Sequence, residues 1–273
     1  MTTGLPTCQT LRLKLDGGIL HVTLDRPETK NALNRAMVAD LTAAVDYLAA
    51  HHDVRAAVVR GANGTFCAGG DVNGFKEMFS TPLPKSGERD RVALHNRRFG
   101  AIMARFEELP QTIVMVVEGA AYGGGLGLMC GGDVVLAAAD AKFSISETTL
   151  GVPPAQIAPF VAQRIGVART RHLSLTAHRF DGREAERIGL VDQACEGTTA
   201  LDAALAQVLA GIARCSPNAN AVTKRLLLAS RTLSREDLLE QSADAFAFCL
   251  RGPEGHEGVT AFLEKRKARW AAE

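Results

Sequence analysis

Hydrophobic and polar positions alternate at the start of the chain and then give way to a helical period. The alternation runs over residues 11–15, stops at Asp16-Gly17-Gly18, which is typical of a turn, and resumes over residues 20–24. This arrangement predicts a β-hairpin. Asn34 then precedes apolar residues spaced three and four apart over residues 37–48. We therefore predict a helix capped by Asn34 with one buried face.

Two short apolar runs each lead into a glycine-rich segment. The run at 56–59 predicts a buried strand and is followed by the loop 61–71. A helical pattern over 91–108 precedes the apolar run 113–117, which leads into the glycines of 119–127. Repeated units of strand, glycine turn and helix indicate an α/β fold with stacked sheets.

The pattern becomes purely helical from about residue 200. Ser216-Pro217 and Ser234 are typical helix starts, and a last, basic helix is predicted over 254–270. We therefore divide the chain into an α/β core over 1–200 and a C-terminal helical domain over 201–273, which packs on the core or on a neighbouring subunit.

Composition narrows the class of protein. The 273 residues are 47% hydrophobic and 22% charged, which is typical of a folded globular chain. The net charge is only +1, so nothing in it favours nucleic acid or an anionic membrane as a partner. Neither a membrane-spanning apolar stretch nor a secretion signal is seen, so we expect a cytoplasmic protein. The six cysteines are scattered, which predicts free thiols and no metal site.

The 26 glycines carry the most specific signal, yet they match no common nucleotide or nucleophile motif. GxGxxG fails because Cys130 holds the third glycine position after Gly125, and neither a P-loop nor GxSxG occurs. Two glycine turns that follow strands can each point a backbone N–H into a shared site, which would make an oxyanion hole. On spacing alone, tight packing is the favoured alternative.

Four phrases in the chain change this interpretation. They are Arg26-Pro-Glu-Thr-Lys-Asn-Ala-Leu-Asn34, Phe66-Cys-Ala-Gly-Gly-Asp71, Gly119–Gly127 and Ser146-Glu-Thr-Thr-Leu-Gly151. In this order, and with the ending at 261–267, they resemble the crotonases, the enoyl-CoA hydratase/isomerase superfamily. The resemblance implies the α/β crotonase (ClpP-like) fold, with repeated ββα units forming stacked sheets flanked by helices. It also implies a C-terminal helical trimerisation region.

The resemblance assigns catalytic roles to three residues. The backbone N–H groups of Gly70 and Gly124 correspond to the two oxyanion-hole donors, and Glu147 corresponds to a general acid/base. Hydratases with two acids carry another glutamate where this chain has Gly127. Glu118 lies before the glycine loop, on the wrong side of the motif, so we interpret it as structural.

The resemblance also implies a groove for coenzyme A, which enters as the thioester substrate, so no separate cofactor and no metal is expected. Phe262 and Lys265 match positions that flank the adenine and 3′-phosphate, often from a neighbouring subunit. For Lys265 a solvated helix charge is an equal alternative. Homotrimers, or hexamers made as dimers of trimers, are implied. The residues expected to line the groove are Ala32, Leu33, Ala68, Gly69, Asp71 and Val72.

A single glutamate leaves the reaction open. Double-bond isomerisation needs only one proton shuttle. Dehalogenation needs an aspartate where this chain has Ala155, so it is discounted. Hydration needs a further group, and the segment 151–160 resembles that of hydratases acting on branched, carboxylated glutaconyl-CoA esters. Gln156 would orient water or a distal carboxylate there, or it is simply a residue at a helix start.

The sequence therefore predicts an enoyl-CoA hydratase for a branched or carboxylated 2-enoyl-CoA, with methylglutaconyl-CoA or isohexenylglutaconyl-CoA as the expected ester. A Δ3-Δ2 enoyl-CoA isomerase that uses Glu147 as its proton shuttle is the enzymatic alternative. A non-catalytic homologue that binds acyl-CoA or RNA is the other alternative. The near-neutral charge disfavours RNA, and the retained Glu147 disfavours an inactive protein.

Overall fold

The computed structural model describes residues 4–271 and is organised around two β-sheets. The strands are β1 Leu11–Asp16, β2 Ile19–Leu24, β3 Ala56–Gly61, β4 Thr112–Val117, β5 Ala120–Tyr122, β6 Val134–Ala138, β7 Lys142–Ser144, β8 Phe180–Asp181 and β9 Gln193–Cys195.

Helices connect and cover these strands. They are α1 Arg35–Ala50, α2 Val72–Met78, α3 Arg91–Glu108, α4 Gly124–Cys130, α5 Ala158–Thr176, α6 Gly182–Arg187, α7 Gly197–Arg214, α8 Pro217–Ala229, α9 Arg235–Arg251 and α10 Pro253–Leu263. None of the helices found within residues 4–271 has the length and apolar character needed to cross a membrane.

The larger sheet has the strand order β1-β2-β3-β4-β6-β9. Its first pair is an antiparallel hairpin that aligns Leu11 with Leu24, and all the other pairs are parallel. The smaller sheet has the order β5-β7-β8, and β5 and β7 begin shortly after β4 and β6 end. The second sheet therefore lies beyond the carboxyl ends of the first, where loops from neighbouring strands meet.

Burial explains why these segments form the core. Strands β3 and β4 are buried along almost their whole length, as expected for parallel strands covered on both faces. Helix α1 begins where Asn34 accepts a hydrogen bond from the Met37 N–H, which confirms the predicted cap. Its face bearing Met37, Leu41 and Leu48 is completely buried. The predicted hairpin and the predicted helix over 91–108 are also confirmed.

Two clusters of ion pairs and hydrogen bonds join the C-terminal helices to the amino-terminal ends of the central strands of the large sheet. Lys224 of α8 lies 2.7 Å from the Asp133 carboxylate and also donates to the Gln111 carbonyl. Burial lowers the pKa of Lys224 and raises the pKa of Asp133, and their mutual attraction opposes both shifts. The Arg55 guanidinium donates to four carbonyl groups, those of Ile212, Ala213, Cys215 and Trp270.

The predicted last helix over 254–270 is wrong in its extent. Helix α10 ends at Leu263, because Lys265 adopts a left-handed backbone conformation with φ of 56°, and a short 3₁₀ turn follows at Arg269–Ala271. The proposed domain boundary at residue 200 falls inside α7, which starts at Gly197, and the division itself stays a prediction.

Candidate active site

The two glycine turns predicted to form an oxyanion hole lie side by side. A β-carbon added to Gly69 would be 3.7 Å from the Gly124 nitrogen, and one added to Gly124 would be 3.7 Å from the Gly70 nitrogen. Gly69 has φ of 98° and would meet the Tyr122 carbonyl at 2.8 Å, so only glycine fits there. The structure thus brings the loop after β3 against the start of α4.

The main-chain amides in this contact are available to a ligand. Gly124 is the first residue of α4, where a backbone N–H has no partner within the helix. Within residues 4–271, neither the Gly70 nor the Gly124 N–H donates a hydrogen bond. Two unpartnered N–H groups in adjacent turns can stabilise negative charge on one oxygen atom.

Glu147 lies directly beside these amides. A β-carbon added to Gly123 would be 2.6 Å from Oε1 of Glu147, so the carboxylate packs over the residue that precedes Gly124. Burial raises the pKa of Glu147, while the backbone N–H groups of Glu147 and Ser146 oppose the shift. Oε2 is buried with no hydrogen-bond partner among the described residues. This cluster of Gly69–Gly70, Gly123–Gly124 and Glu147 is termed the glycine cleft.

A short backbone ladder holds the first glycine turn in place. The Leu33 N–H donates to the Gly69 carbonyl at 2.7 Å, and the Asp71 N–H donates to the Leu33 carbonyl at 3.0 Å. The Ala68 N–H bonds the Lys30 carbonyl in the same way. A side-chain carbon of Leu33 reaches to 2.9 Å from the β-carbon position of Gly124. The segment with Ala32 and Leu33, predicted to line the coenzyme A groove, therefore borders the glycine cleft.

Arg26 and Asn31 were not assigned a role from the sequence, yet they fix this segment. Arg26 donates to the Ala32 carbonyl at 2.6 Å and lies 3.1 Å from the Asp71 carboxylate. Asn31 is completely buried and donates to the carbonyls of Ala62 and Thr65. Both residues belong to the phrase at 26–34, which was the only sequence signal for them.

The other predicted groove residues stand at the start of α2. The Asp71 side chain caps this helix by accepting from the Asn73 N–H, in addition to its ion pair with Arg26. Val72 is 62% exposed, so its side chain faces away from the core. The Phe75 ring packs on Gly70, 2.6 Å from its β-carbon position, and covers one side of the glycine cleft. Phe75 was also missed, since α2 carries no strong sequence pattern.

Ile157 fills the space that a side chain at residue 127, the position of the absent second glutamate, would need. A β-carbon added to Gly127 would lie 2.2 Å from Cγ2 and 2.5 Å from Cβ of Ile157. Ile157 is only 3% exposed. Since a branched, buried side chain cannot move aside cheaply, no side chain fits at residue 127 while Ile157 is present.

Gln156, the neighbour of Ile157, packs against α3. Its Oε1 lies 2.0 Å from the β-carbon position of Gly100, so Gly100 makes room for the carboxamide. Phe99, the residue before Gly100, contacts Gly124 at 3.7 Å from its β-carbon position. Gln156 and Gly124 thus contact two consecutive residues of α3, Gly100 and Phe99.

Phe262 and Lys265 do not join the glycine cleft of the same chain. The segment after α10 folds back so that Trp270 packs on Gly258 and its carbonyl accepts from Arg55. Arg55 precedes β3, whereas the cleft follows the other end of that strand, roughly 20 Å away at about 3.3 Å per residue. Phe262 is 83% exposed.

Two further residues near the motifs are structural. Cys67 is completely buried, which raises the pKa of its thiol to about 12 and makes it a poor nucleophile. Glu118 pairs with Arg60 at 2.7 Å, as expected for a structural carboxylate. Residues 4–271 contain no group of three or more His, Cys, Asp or Glu side chains placed to hold a metal ion.

Comparison with known proteins agrees with this architecture. The family model described as enoyl-CoA hydratase/isomerase matches residues 14–273. The solved structure of Pseudomonas aeruginosa AtuE is 46% identical, with a TM-score of 0.91 over 96% of this chain and 100% of that one. The α/β crotonase fold predicted from the sequence is therefore confirmed.

Relatives with different activities are also similar along nearly the whole chain. The peroxisomal Delta(3,5)-Delta(2,4)-dienoyl-CoA isomerase of Arabidopsis thaliana is 31% identical over 97% of both proteins. The 2,3-dehydroadipyl-CoA hydratase of Escherichia coli strain K12 is 30% identical over 91% of this chain and 93% of that protein. Since both the family model and these relatives span almost all of the chain, it belongs to the enoyl-CoA hydratase/isomerase family.

Proposed function

We propose that this protein hydrates a branched or carboxylated 2-enoyl-CoA thioester. The observation that carries the proposal is the position of the Glu147 carboxylate over Gly123, beside the unpartnered amides of Gly70 and Gly124. One carboxylate and two N–H donors are the groups needed to move a proton next to a thioester carbonyl that becomes an enolate.

The proposed reaction uses Glu147 twice. The carboxylate takes a proton from water as the water oxygen bonds to C3 of the substrate. The double-bond electrons move towards the carbonyl, and the resulting enolate oxygen accepts hydrogen bonds from the Gly70 and Gly124 amides. The carboxylic acid of Glu147 then returns its proton to C2, which yields the 3-hydroxyacyl thioester. The burial that raises the pKa of Glu147 suits a group that must hold this proton briefly.

The substrate class is supported by the sequence of 151–160 and by the relatives. The similar E. coli protein is named for 2,3-dehydroadipyl-CoA, an enoyl-CoA whose acyl chain ends in a free carboxylate. Within the proposed class, 3-methylglutaconyl-CoA and isohexenylglutaconyl-CoA are the expected esters. Coenzyme A arrives as part of the substrate, and the reaction needs no resident cofactor or metal.

A Δ3-Δ2 enoyl-CoA isomerase is the second candidate. It is supported by the Gly127–Ile157 contact, which leaves no room for a carboxylate at residue 127, so that Glu147 is the one carboxylate of the glycine cleft among residues 4–271. The similarity to a dienoyl-CoA isomerase points the same way. Moving a double bond needs only that Glu147 remove a proton from one carbon of the acyl chain and return it to another.

The coenzyme A groove is proposed to run past Ala32, Leu33, Ala68 and the start of α2 at Asp71–Val72. Phe262 and Lys265 would flank the adenine end in a neighbouring subunit, because they are remote from the cleft of their own chain. The exposed apolar side chains on the last two helices support a homotrimer, or a hexamer of two trimers, in which these faces are covered. They are Leu239, Phe246, Phe248, Leu250, Val259, Phe262 and Leu263.

Three substrates separate the candidates. The purified protein is incubated separately with 3-methylglutaconyl-CoA, isohexenylglutaconyl-CoA and a 3-enoyl-CoA, while the absorbance of the conjugated thioester and the product mass are followed. A hydratase removes the conjugated absorbance and adds the mass of one water. An isomerase creates that absorbance from the 3-enoyl ester without a mass change. Isomerisation of this ester without hydration of either glutaconyl ester would overturn the hydratase proposal.

A further inference from the structure

Gln156 has the features of a ligand-binding residue rather than of a packing residue. Its carboxamide makes no hydrogen bond to any part of the chain from residue 4 to residue 271, although the side chain is half-buried. Its contact with α3 exists because residue 100 is glycine: even an alanine there would place a methyl group 2.0 Å from Oε1. An amide held in a fitted space with no partner of its own is suited to a polar ligand.

The chemistry of the amide indicates which kind of ligand. Its Nε2 group is a hydrogen-bond donor that no residue from 4 to 271 accepts from, so it remains for a ligand. A donor suits a carboxylate or another acceptor oxygen. It suits an attacking water less well, because that water must itself give up a proton and is helped by an acceptor.

The distance along α4 matches the length of a short dicarboxylic acyl chain. Gly124, which supplies one amide of the cleft, and Gly127, which packs on Ile157, lie about one helical turn apart. The two carboxyl carbons of a five-carbon diacid are separated by about 5 Å, close to the 5.4 Å pitch of an α-helix. A thioester carbonyl at Gly124 would put the far end of such a chain about one helical turn away, which is also the separation between Gly124 and the place where Ile157, the neighbour of Gln156, packs on Gly127.

We propose that Gln156, seated on Gly100, binds the terminal carboxylate of the acyl group and sets the preference for carboxylated acyl-CoA esters. This inference rests on the proposed function in that it places the acyl group in the glycine cleft. It does not require that the reaction be hydration, because the preference is one of binding.

Binding of two unreactive thioesters tests the proposal independently of turnover. 3-Methylglutaryl-CoA and isovaleryl-CoA differ only in the terminal carboxylate, and neither has a double bond to react. Calorimetry with the wild-type protein is expected to show tighter binding of 3-methylglutaryl-CoA. In Gln156→Leu this preference falls about ten- to hundred-fold, as for loss of a hydrogen bond to a charged group, while isovaleryl-CoA binds as before.

Gly100→Ala provides a matched variant that leaves Gln156 in the chain but displaces its amide. It is expected to reproduce the loss of preference, and to have no further effect in a Gln156→Ala background. Gly100 has an ordinary helical conformation, so alanine is compatible with folding there. Melting temperatures of all variants report on folding.

Equal weakening of both esters would show that Gln156 only packs and would overturn the proposal. The same follows if the wild-type protein shows no preference, or if the preference survives both variants. A loss of hydration rate without any change in binding preference would assign Gln156 to the water instead, and would also overturn it. Failure of the hydration assay with an intact, Gln156-dependent preference would refute the proposed reaction alone.

Discussion

The Glu147 carboxylate packs on the α-carbon of Gly123, with Oε1 2.6 Å from where a β-carbon would stand. Gly123 has φ of 46° and ψ of −118°, a conformation open to glycine and costly for other residues. The same residue thus allows the sharp entry into α4 and leaves space for the acid. The carboxylate and the Gly124 amide are held next to each other by this one glycine.

Replacing Gly123 by alanine is expected to displace the Glu147 carboxylate and lower kcat about 100-fold, as for a misplacement of roughly 1 Å. Steady-state kinetics with the substrate found in the panel above measure this effect. Gly189→Ala is the matched control, since Gly189 also has positive φ, at 79°, but has open space around it. If both variants lose activity equally, backbone strain and not the contact with Glu147 is responsible.

Glu147→Gln is expected to reduce turnover by about 10²- to 10⁴-fold, because glutamine keeps the shape but cannot carry the proton. Binding of a CoA ester should persist within a few-fold, as measured by calorimetry. Glu118→Gln serves as the control, since this carboxylate pairs with Arg60 and takes no part in the proposed reaction. Full activity in Glu147→Gln would refute the assignment.

Activity and stability are expected to depend on the ionisation of Glu147 in opposite directions. Burial raises the pKa of this carboxyl above its ordinary value of 4.5, so kcat should rise with pH through a pKa above 4.5 as the catalytic carboxylate forms. Because the folded state binds the proton more tightly, the stabilising contribution is present below 4.5 and is lost as the pH rises through the folded-state pKa.

Residue 147 cannot ionise in the Glu147→Gln variant. The unfolding free energy of this variant minus that of the wild type should therefore increase over that pH window and then level off. Denaturant unfolding at a series of pH values measures this difference. A difference that stays constant with pH would mean that folding does not shift the pKa of Glu147.

Gly127→Glu is not expected to create a two-acid hydratase. The new side chain would collide with Ile157, so the variant should lose about 3 kcal/mol or more of unfolding free energy from overpacking and burial of a carboxyl group. Introduced into an Ile157→Ala background, the same change should be milder by at least about 1 kcal/mol. Additive effects of the two substitutions, measured by chemical denaturation, would show that Ile157 does not block this position.

Much of the scaffold could be predicted from local patterns. The hairpin, the cap at Asn34 and the helix over 91–108 depend on neighbouring residues in the chain, and the structure has them where the sequence placed them. The last, basic helix was predicted over 254–270, which is too long, because the backbone turns at Lys265 and the helix ends at Leu263. A left-handed lysine leaves no mark in a hydrophobic pattern.

The motif phrases placed Gly70, Gly124 and Glu147 in one site only through a family resemblance, since spacing alone favoured packing glycines. Neither the glycine spacing nor the family resemblance could predict contacts between segments that are distant in the chain. They include Phe75 over Gly70, Ile157 in the space beside Gly127, and Gln156 against Gly100. Arg26 belongs to the phrase at 26–34, but its contacts with Ala32 and Asp71 are apparent only in the folded chain.

The sequence by itself determined the amino-terminal hairpin, the helix capped by Asn34, the helix over 91–108 and the presence of a carboxylate at residue 147. These are consequences of periodicity and of local dihedral preference, which act over a few residues. Tertiary structure decided which atoms face each other across the glycine cleft. Parallel strands bring their carboxyl ends to one edge of the sheet, where segments distant in the chain meet. Close packing there lets the Ile157 side chain fill the space in which a side chain at residue 127 would lie.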